Sequence, residues 1–408
     1  MAVSICAGCG SAEVSRFFRA ENVPVFCNVL WPTREEALAA PRAEIDLACC
    51  GGCGLIWNTA YDPSLVEYRA RYENSLHFSP RFQQYARGLA RRLIDGYHLE
   101  GARVVEIGCG QGDFLRMLAQ EGCRCVGFDP SYAPKAEGRG ENAPGMRIVR
   151  DYYGPQHAGE AADLVCSRHV LEHIARPLEF LAMVRRSLEP GEDSRGEPGG
   201  EASIAGGGVP VFFVEVPNAM ATLVDLAVWD VIYEHCCYFT AVSLRELLER
   251  AGFEVLRVSE EFDGQFLAAE ARPRRGGSVC GPDPAAVEEV MRLCGKFEMS
   301  YQEKVSNWRA QLREMSSRDR CAAAWGAGSK GVTFLNVLAP DSSVVETVVD
   351  LNPRKQGLFV PGVALQVMAP EELQSTRPDV VVVMNRVYAE EVRAMLSGLG
   401  VAAELVVA

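Results

Sequence analysis

A glycine-rich turn around residue 110 combines residue types that suit a nucleoside cofactor. Gly108, Gly110 and Gly112 follow directly on an apolar run that contains Glu106. Because glycine has no side chain, the backbone there can approach a ligand closely, and Glu106 can meet a ligand amine. Asp129 ends a second apolar run, where an acid can accept hydrogen bonds from ribose hydroxyls. The glycine spacing is Gly-x-Gly-x-Gly and not Gly-x-Gly-x-x-Gly, which disfavours a dinucleotide.

A second glycine-rich turn lies nearer the end of the chain. Gly326, Gly328 and Gly331 fit the Gly-x-Gly-x-x-Gly pattern after a short apolar run, and Asp350 lies near the position that reads ribose. Taken alone, this turn predicts NAD. The same turn could also bind another nucleoside diphosphate, since a helix N-terminus attracts phosphate and Lys330 adds a positive charge. A purely structural Rossmann unit is the alternative, because such folds can lose ligands while keeping their shape.

Four of the 15 cysteines form two Cys-x-x-Cys pairs, and each pair is followed by a glycine. The pairs are Cys6 with Cys9 and Cys50 with Cys53. Two thiolates at this spacing hold one side of a tetrahedral ion, and two pairs complete the coordination. The sequence therefore predicts zinc, in a structural role because four thiolates leave no coordination position open for chemistry. The alternative is a group of unligated buried cysteines.

Short apolar runs alternate with helical patterns around both turns, which indicates an α/β fold with mostly parallel, doubly wound sheets. In the middle of the chain we expect strands at 103–107, 124–128, 163–167 and 211–216, and helices at 80–96, 112–121, 176–188 and 243–251. A helix at 285–317 precedes a second series of strands and helices. The expected parts are a zinc-binding domain at 1–74, a cofactor-binding core at 75–275 and a Rossmann-like domain at 276–408.

Length and charge narrow the classes of function. A chain of 408 residues exceeds one compact core, and the formal net charge is −13. Such a charge repels phosphate backbones unless basic residues cluster, so we expect a small-molecule substrate and no nucleic-acid partner. The sequence has no apolar run of bilayer-spanning length, and its first residues do not read as a signal peptide. We therefore expect a cytoplasmic protein without a membrane partner.

The first turn and the segment from Asp163 to His173 resemble the class I methyltransferases, which bind S-adenosylmethionine. Over its whole length the chain resembles the three-domain sugar C-methyltransferases of deoxysugar pathways. Those enzymes have a zinc-binding N-terminal domain, a class I methyltransferase core and a C-terminal Rossmann-like domain. The cysteine pairs, the segment from Tyr233 to Phe239 and the run 325–362 carry the resemblance. One departure is that Ile232 begins the segment in which the family usually has Tyr-His-Glu-His.

The resemblance implies two sets of binding residues. For S-adenosylmethionine they are Glu106, Gly108, Gly110, Gly112, Asp129 and His169. For a sugar nucleotide they are Tyr68, Lys330, Asp350, Asn352 and Lys355.

The resemblance also implies methylation at carbon, which is a poor nucleophile until a proton is lost. A carbon next to a ketone is acidic enough for a positioned base, and His235 is the candidate because imidazole titrates near neutral pH. Glu234 is expected to orient that ring, and Tyr233 or Tyr72 to donate a hydrogen bond to the enolate oxygen. Three alternatives stay open: a methyltransferase of the same architecture acting on another small molecule at carbon, nitrogen or oxygen, an NAD-dependent oxidoreductase, and a non-catalytic zinc-ribbon protein.

Overall fold

The computed structural model describes residues 5–66, 72–133, 144–157, 159–188, 209–276, 281–339 and 341–408. The predicted substrate residue Tyr68 lies outside these ranges. The N-terminal segment contains the elements β1 (Val14–Pro24), α1 (Arg34–Leu38), β2 (Arg42–Cys50) and β3 (Ile56–Asn58).

The middle of the chain carries most of the elements that the alternating pattern predicts. They are α2 (Pro80–Tyr97), β4 (Arg103–Ile107), α3 (Asp113–Gln120), β5 (Arg124–Phe128), β6 (Met146–Val149), β7 (Leu164–Arg168), α4 (Pro177–Ser187), β8 (Val211–Pro217), α5 (Ala219–Leu223), β9 (Cys237–Tyr238), α6 (Ala241–Arg250), β10 (Phe253–Glu261) and β11 (Phe266–Pro273). The strands β4 and β5 match their predicted bounds, and the other predicted elements begin and end within two residues of theirs.

The last segment starts with a long helix and continues with a second strand–helix series. Its elements are α7 (Pro284–Ser317), β12 (Ala322–Trp325), α8 (Ser329–Leu338), β13 (Val345–Val349), β14 (Val367–Met368), α9 (Leu373–Thr376), β15 (Val380–Val383), α10 (Ala389–Leu399) and β16 (Glu404–Val407).

These strands form three sheets. The middle sheet has seven strands in the order β10-β11-β8-β7-β4-β5-β6, in which β11 runs antiparallel to both its neighbours and the remaining pairs are parallel. The last sheet has five parallel strands in the order β14-β13-β12-β15-β16. The first sheet, β1-β2-β3-β9, takes its fourth strand from the middle of the chain. The N-terminal segment is therefore joined to the core by backbone pairing.

Local sequence explains where the helices α2 and α6 begin. The side chain of Ser79 accepts a hydrogen bond from the N–H of Phe82 and caps α2, whose first residue is Pro80. At α6, Thr240 and Ser243 form a reciprocal capping box. Both helices pack an apolar face against the middle sheet, so their caps fix the chain on either side of the sheet.

The segments share buried aromatic contacts. Phe18 of β1 packs edge-on against Phe297 and Tyr301 of α7, at centroid distances of 5.2 and 4.7 Å. Trp229 of the middle segment packs edge-on against Phe334 of α8 at 5.1 Å. Large buried rings contribute strongly to such interfaces, so the middle and last sheets hold a defined mutual position. Among the described residues, no helix is both long and apolar enough to cross a membrane.

Candidate active site

A cavity of about 460 Å³ lies between the middle and last sheets. The turn after β4 borders it on one side and the turn after β12 on the other, as expected for the carboxyl ends of parallel strands. The predicted site residues that line this cavity are Tyr72, Glu106, Gly108, Gly110, Asp129, His169, His235, Lys330, Asp350 and Lys355.

The first turn presents its backbone to the cavity. Gly110 has a φ of 55°, in the left-handed region, and an added Cβ would meet nothing within 4 Å, so the space beside it is open. The N–H of Gly110 donates to Oδ2 of Asp129 at 2.8 Å. The other carboxylate oxygen accepts from the N–H of Ser131 at 2.7 Å. Asp129 is thus held rigidly at the cavity wall.

Gly112 does not line the cavity, contrary to the prediction that it binds the cofactor. It precedes the first residue of α3 with a φ of 78°, and an added Cβ would lie 2.6 Å from Cδ1 of Ile148. A glycine is needed at position 112 because the residue lies at the start of α3 with a positive φ and packs closely against Ile148 of β6.

Glu106 is a buried acid at the end of β4, and burial raises its pKa to about 8. Its Oε2 is buried without a hydrogen-bond partner among the described residues. An unpaired carboxylate oxygen in a cavity wall is costly unless a ligand donor meets it. The residue fits the amine of S-adenosylmethionine in this respect.

His169 follows β7 in a left-handed conformation, with a φ of 55°. Its Nε2 lies 3.2 Å from Oε1 of Glu215, and its Nδ1 lies 3.6 Å from Oε1 of Glu172. Burial alone would lower the pKa of His169, but these two carboxylates outweigh burial and raise that pKa to about 9. Arg168 pairs with the same Glu215 oxygen through Nη2 at 2.7 Å. Two cations and two carboxylates therefore meet at this corner of the cavity.

His235 faces the cavity beside a second histidine. The ring centroids of His235 and His173 are 4.9 Å apart. Burial, with the positive charges of His169 and Lys330, lowers the pKa of His235 to about 3. The His235 imidazole is therefore neutral in the free protein, but this low pKa makes it a weaker base than the near-neutral titration expected from the sequence.

Glu234 does not orient the His235 ring as predicted. Its side chain points toward the N-terminal segment, where Oε2 accepts a hydrogen bond from the N–H of Cys27 at 2.7 Å. Its backbone carbonyl lies 2.8 Å from Nδ1 of His173. Residues 233 and 234 form a turn, so successive side chains leave it in different directions.

The same turn takes Tyr233 away from the cavity. Its hydroxyl accepts a hydrogen bond from the N–H of Asp62 at 2.8 Å, and its ring lies 5.4 Å from that of Tyr61. Tyr233 is therefore not among the residues that line the cavity, where the predicted hydrogen bond to an enolate would form. Tyr72, the other tyrosine predicted for that role, does line the cavity. Burial raises its pKa well above the usual value, so its phenol stays a hydrogen-bond donor.

The second turn repeats the frame of the first. Oδ2 of Asp350 accepts from the N–H of Ala327 at 2.8 Å, and Nζ of Lys355 lies 3.6 Å from the same oxygen. A Cβ on Gly331 would lie 2.0 Å from the carbonyl oxygen of Gly326, so only glycine lets α8 pack this closely.

Two predicted substrate residues have partners that the sequence did not indicate. Lys330 contacts the middle segment, with Nζ 2.8 Å from Oδ2 of Asp230 and 2.8 Å from Oε1 of Gln265. Its charge is therefore already paired at the cavity wall. Asn352 is 1% exposed and does not line the cavity, because its Oδ1 accepts from the N–H of Arg354.

The four predicted metal ligands come together in the first sheet. Their sulfur atoms all lie within 4.8 Å of one another, with 3.6 Å between Cys6 and Cys53 and 3.5 Å between Cys9 and Cys50. Zinc bound tetrahedrally at 2.3 Å to each sulfur would separate them by about 3.8 Å. Backbone N–H groups of Gly8 and Gly52 lie 3.3 Å from two of the sulfurs. The arrangement fits a four-thiolate zinc ion.

Among the cavity-lining residues that were not assigned from the sequence, three contact predicted site residues. Glu172, Asp230 and Gln265 line the cavity beside the predicted groups. Glu172 stands in the segment that resembles the methyltransferases, next to His173, and this adjacency was the available signal. The other two carried none, because their side chains contact residues of the last segment that lie far along the chain, such as Lys330.

Comparisons with known proteins agree with this geometry. Residues 77–193 match the family model described as a methyltransferase domain, and residues 287–406 match the C-methyltransferase C-terminal domain. The chain is 26% identical over 403 residues to the C-methyltransferase NovU of Streptomyces niveus, covering 95% of this chain and 90% of that protein.

Two further similarities each cover less than half of the chain. The ubiquinone biosynthesis O-methyltransferase of Cereibacter sphaeroides is 35% identical over 116 residues, covering 27% of this chain and 46% of that enzyme. A solved structure, the 1,6-didemethyltoxoflavin-N1-methyltransferase of Burkholderia thailandensis with bound S-adenosylhomocysteine, is 19% identical. It covers 48% of this chain and 81% of its own, with a TM-score of 0.33. With its methyltransferase domain and its α/β sheet, the chain is an S-adenosylmethionine-dependent methyltransferase with a class I, Rossmann-like fold.

Proposed function

We propose that the enzyme methylates a carbon atom of a nucleotide-linked keto-deoxysugar. The observation that carries this proposal is the single cavity bordered by both glycine-rich turns, with His235 in its wall. A methyl donor at the first turn and a sugar nucleotide at the second would bring their reactive ends together between the sheets. The similarity to a C-methyltransferase over 95% of the chain supports the same choice.

When bound, S-adenosylmethionine supplies the methyl group from its sulfonium. The first turn would hold the donor, with Glu106 accepting a hydrogen bond from its amine and Asp129 one from its ribose. At the second turn, Asp350 meets the nucleotide ribose and Lys355 adds a positive charge beside it. Both ligands exclude water from the cavity, which strengthens the polar contacts made there.

His235 acts as the base. It is neutral and takes the proton from the carbon beside the ketone, and the electron pair of that C–H bond forms the enolate. A carboxylate oxygen of Glu172 lies within 4.8 Å of a ring nitrogen of His235. The Glu172 carboxylate therefore stabilises the imidazolium that results. Bound S-adenosylmethionine would then supply its methyl group to the enolate carbon, and the electron pair of the methyl–sulfur bond would leave with S-adenosylhomocysteine.

Tyr72 stabilises the enolate. Its buried phenol donates a hydrogen bond to the oxygen on which negative charge develops, an interaction stronger in the transition state than in the ketone. Asn28 positions the tyrosine, since its Nδ2 lies 3.3 Å from the phenol oxygen.

A second candidate is methylation of another small molecule at carbon, nitrogen or oxygen by the same architecture. The 35% identity to an O-methyltransferase over 116 residues favours it. Under this alternative, S-adenosylmethionine binds at the first turn, and a nucleoside diphosphate gives the protein no protection against thermal unfolding. A ligand that binds the native state must raise its stability, so the thermal shift separates the two candidates.

Isotope exchange tests the base directly. The enzyme, a keto sugar nucleotide and S-adenosylhomocysteine are incubated in deuterated water, and exchange at the carbon beside the ketone is followed by NMR. We expect exchange with the wild-type enzyme and its loss in His235→Ala. If the variant exchanges as fast as wild type, another residue is the base. If no keto sugar nucleotide is a substrate, the result favours the second candidate function, methylation of another small molecule.

We also propose that Cys6, Cys9, Cys50 and Cys53 hold one structural zinc ion in a cytoplasmic protein. Support comes from the sulfur geometry and from the 14 cysteines within the described residues, none of which is in a disulfide, as suits a reducing compartment. Metal analysis of protein purified without added metal should find about one zinc per chain. Cys50→Ser should lose it, whereas the control Cys321→Ser, a free thiol outside the cluster, should keep it. Absence of zinc from wild type, with four freely titratable thiols, would contradict the proposal.

A further inference from the structure

We propose that Glu172, His173 and His235 bind a divalent transition-metal ion in the cavity, at a site separate from the four cysteines. One potential ligand atom from each residue lies within 4.8 Å of the other two. All three residues line the cavity between the two turns.

The chemistry of the three side chains suits such an ion. Two imidazoles and one carboxylate form a facial set of ligands that binds the later divalent ions of the first transition series and leaves positions open. The two rings are not stacked, with an interplanar angle of 71° and 4.9 Å between centroids. Small side-chain rotations would bring the ligand atoms from their present spacing to coordination distance.

The surroundings of His173 hold it in the state needed for coordination. Its Nδ1 lies 2.8 Å from the carbonyl oxygen of Glu234, which can only accept, so Nδ1 carries the proton. In the neutral ring this places the lone pair on Nε2. Histidines that ligate metals commonly donate their other N–H to a backbone carbonyl in this way.

Glu172 supplies the negative charge. The residue is 1% exposed, and neither carboxylate oxygen has a hydrogen-bond partner among the described residues. His169 is the neighbouring cation, with Nδ1 at 3.6 Å, but its other ring nitrogen lies 3.2 Å from Glu215. A buried carboxylate with unfilled lone pairs favours a bound cation, because the ion replaces hydrogen bonds that the protein does not provide.

The ion would have a consequence that rests on the proposed function. A metal on His235 occupies the lone pair with which that residue takes the substrate proton. Occupation of the site and methyl transfer therefore exclude one another, and a divalent ion added in excess inhibits the enzyme.

Cobalt(II) is the probe, added to the full-length enzyme and to variants. Cobalt at the cysteines gives thiolate charge-transfer bands in the near ultraviolet, whereas cobalt at histidine and carboxylate gives only weak visible bands. We expect wild type to show the weak bands at saturation and calorimetry to show their binding event. Glu172→Gln should weaken that event at least about tenfold, because loss of a ligand exceeds the loss of an outer-shell partner. Glu179→Gln, at an exposed position of α4, is the matched control and should bind as wild type does.

Two results would overturn the site: no cobalt bound outside the cysteines in wild type, or unchanged affinity in Glu172→Gln. If circular dichroism shows that Glu172→Gln does not fold, His235→Gln is judged by the same criterion. A failure of the proposed function would give a different result from a failure of the metal site. Cobalt that binds as expected but leaves methyl transfer unaffected contradicts His235 as the base and keeps the metal site.

Discussion

The two glycine-rich turns share one backbone frame although more than 200 residues separate them. In the first, the N–H of Gly108 donates to the carbonyl of Phe128 at 2.8 Å. In the second, the N–H of Gly326 donates to the carbonyl of Val349 at the same distance. In each case the turn after one strand is tied to the end of the neighbouring parallel strand. The frame follows from strand–turn–helix geometry and does not by itself select a ligand.

The acids at the ends of those neighbouring strands also correspond. Asp129 accepts from the N–H of Gly110, and Asp350 accepts from the N–H of Ala327, both at 2.8 Å. Each acid is thereby placed where it can also accept a hydrogen bond from a ribose hydroxyl.

The two turns differ in the charge of the side chains that lie beside them. Beside the first lies the buried acid Glu106, whose Oε2 has no hydrogen-bond partner among the described residues. Beside the second lies the buried base Lys355, 3.6 Å from Asp350. The shared frame suits a nucleoside, and the neighbouring charge then selects a ligand with an amine or one with phosphates. The comparison teaches that the glycine pattern indicates the position of a ligand and the flanking charges its kind.

The largest effect we expect concerns the residue between the turns. His235→Ala should lower kcat roughly 10²-fold to 10⁴-fold, the usual contribution of a general base. Binding of S-adenosylmethionine and of the sugar nucleotide should change little, because His235 belongs to neither turn. Steady-state kinetics and calorimetry on one protein preparation measure both. A fall in affinity for either ligand with kcat preserved would make His235 part of a turn and not the base.

Stability should distinguish the glycines of the two turns. Gly331→Ala brings a Cβ to 2.0 Å from the backbone oxygen of Gly326, which cannot move aside, so we expect a loss of about 3 kcal/mol. At Gly110 the space is open and only the left-handed conformation is penalised, at about 1 kcal/mol. Thermal unfolding of both variants measures the difference. Equal shifts in Tm would show that the close approach of α8 to its strand is not rigid.

The smallest effect is a pH dependence confined to the first turn. Burial raises the pKa of Glu106 to about 8, so below that pH the free enzyme holds a proton that must leave when a cationic amine binds. Affinity for S-adenosylmethionine should therefore rise by up to roughly tenfold per pH unit as pH approaches 8, and level off above it. In Glu106→Gln the affinity should be lower and should not vary over this window. An unchanged pH profile in the variant would assign the proton to another group.

The periodic parts of the fold could be predicted from the sequence. Strands β4 and β5 and the helices around them follow from apolar alternation, and both turns follow from glycine spacing next to a strand. Whether a predicted side chain faces the cavity could not be predicted this way, since its direction depends on contacts with residues far along the chain. Glu234 illustrates this, because its partner is the N–H of Cys27, 207 residues away.

Contacts between residues far apart in the chain also explain the site contacts that the sequence did not predict. Lys330 was expected to meet phosphate from its place at a helix start, yet Asp230 of another segment neutralises it. Similarly, β9 joins the first sheet although it lies within the core segment, because two residues pair with β3. Such long-range pairings leave no periodic trace in the sequence.

The central claim is that the two turns hold different ligands in one cavity, and paired calorimetry tests it most directly. Asp129→Ala and Asp350→Ala are each titrated with S-adenosylmethionine and with a nucleoside diphosphate. Loss of hydrogen bonds to a buried hydroxyl is worth about 1 kcal/mol or more, so each variant should lose roughly fivefold or more in affinity for one ligand. We predict that Asp129→Ala weakens only S-adenosylmethionine and Asp350→Ala only the nucleoside diphosphate. If both variants weaken the same ligand, or if Asp350→Ala changes neither, the two-turn account is wrong.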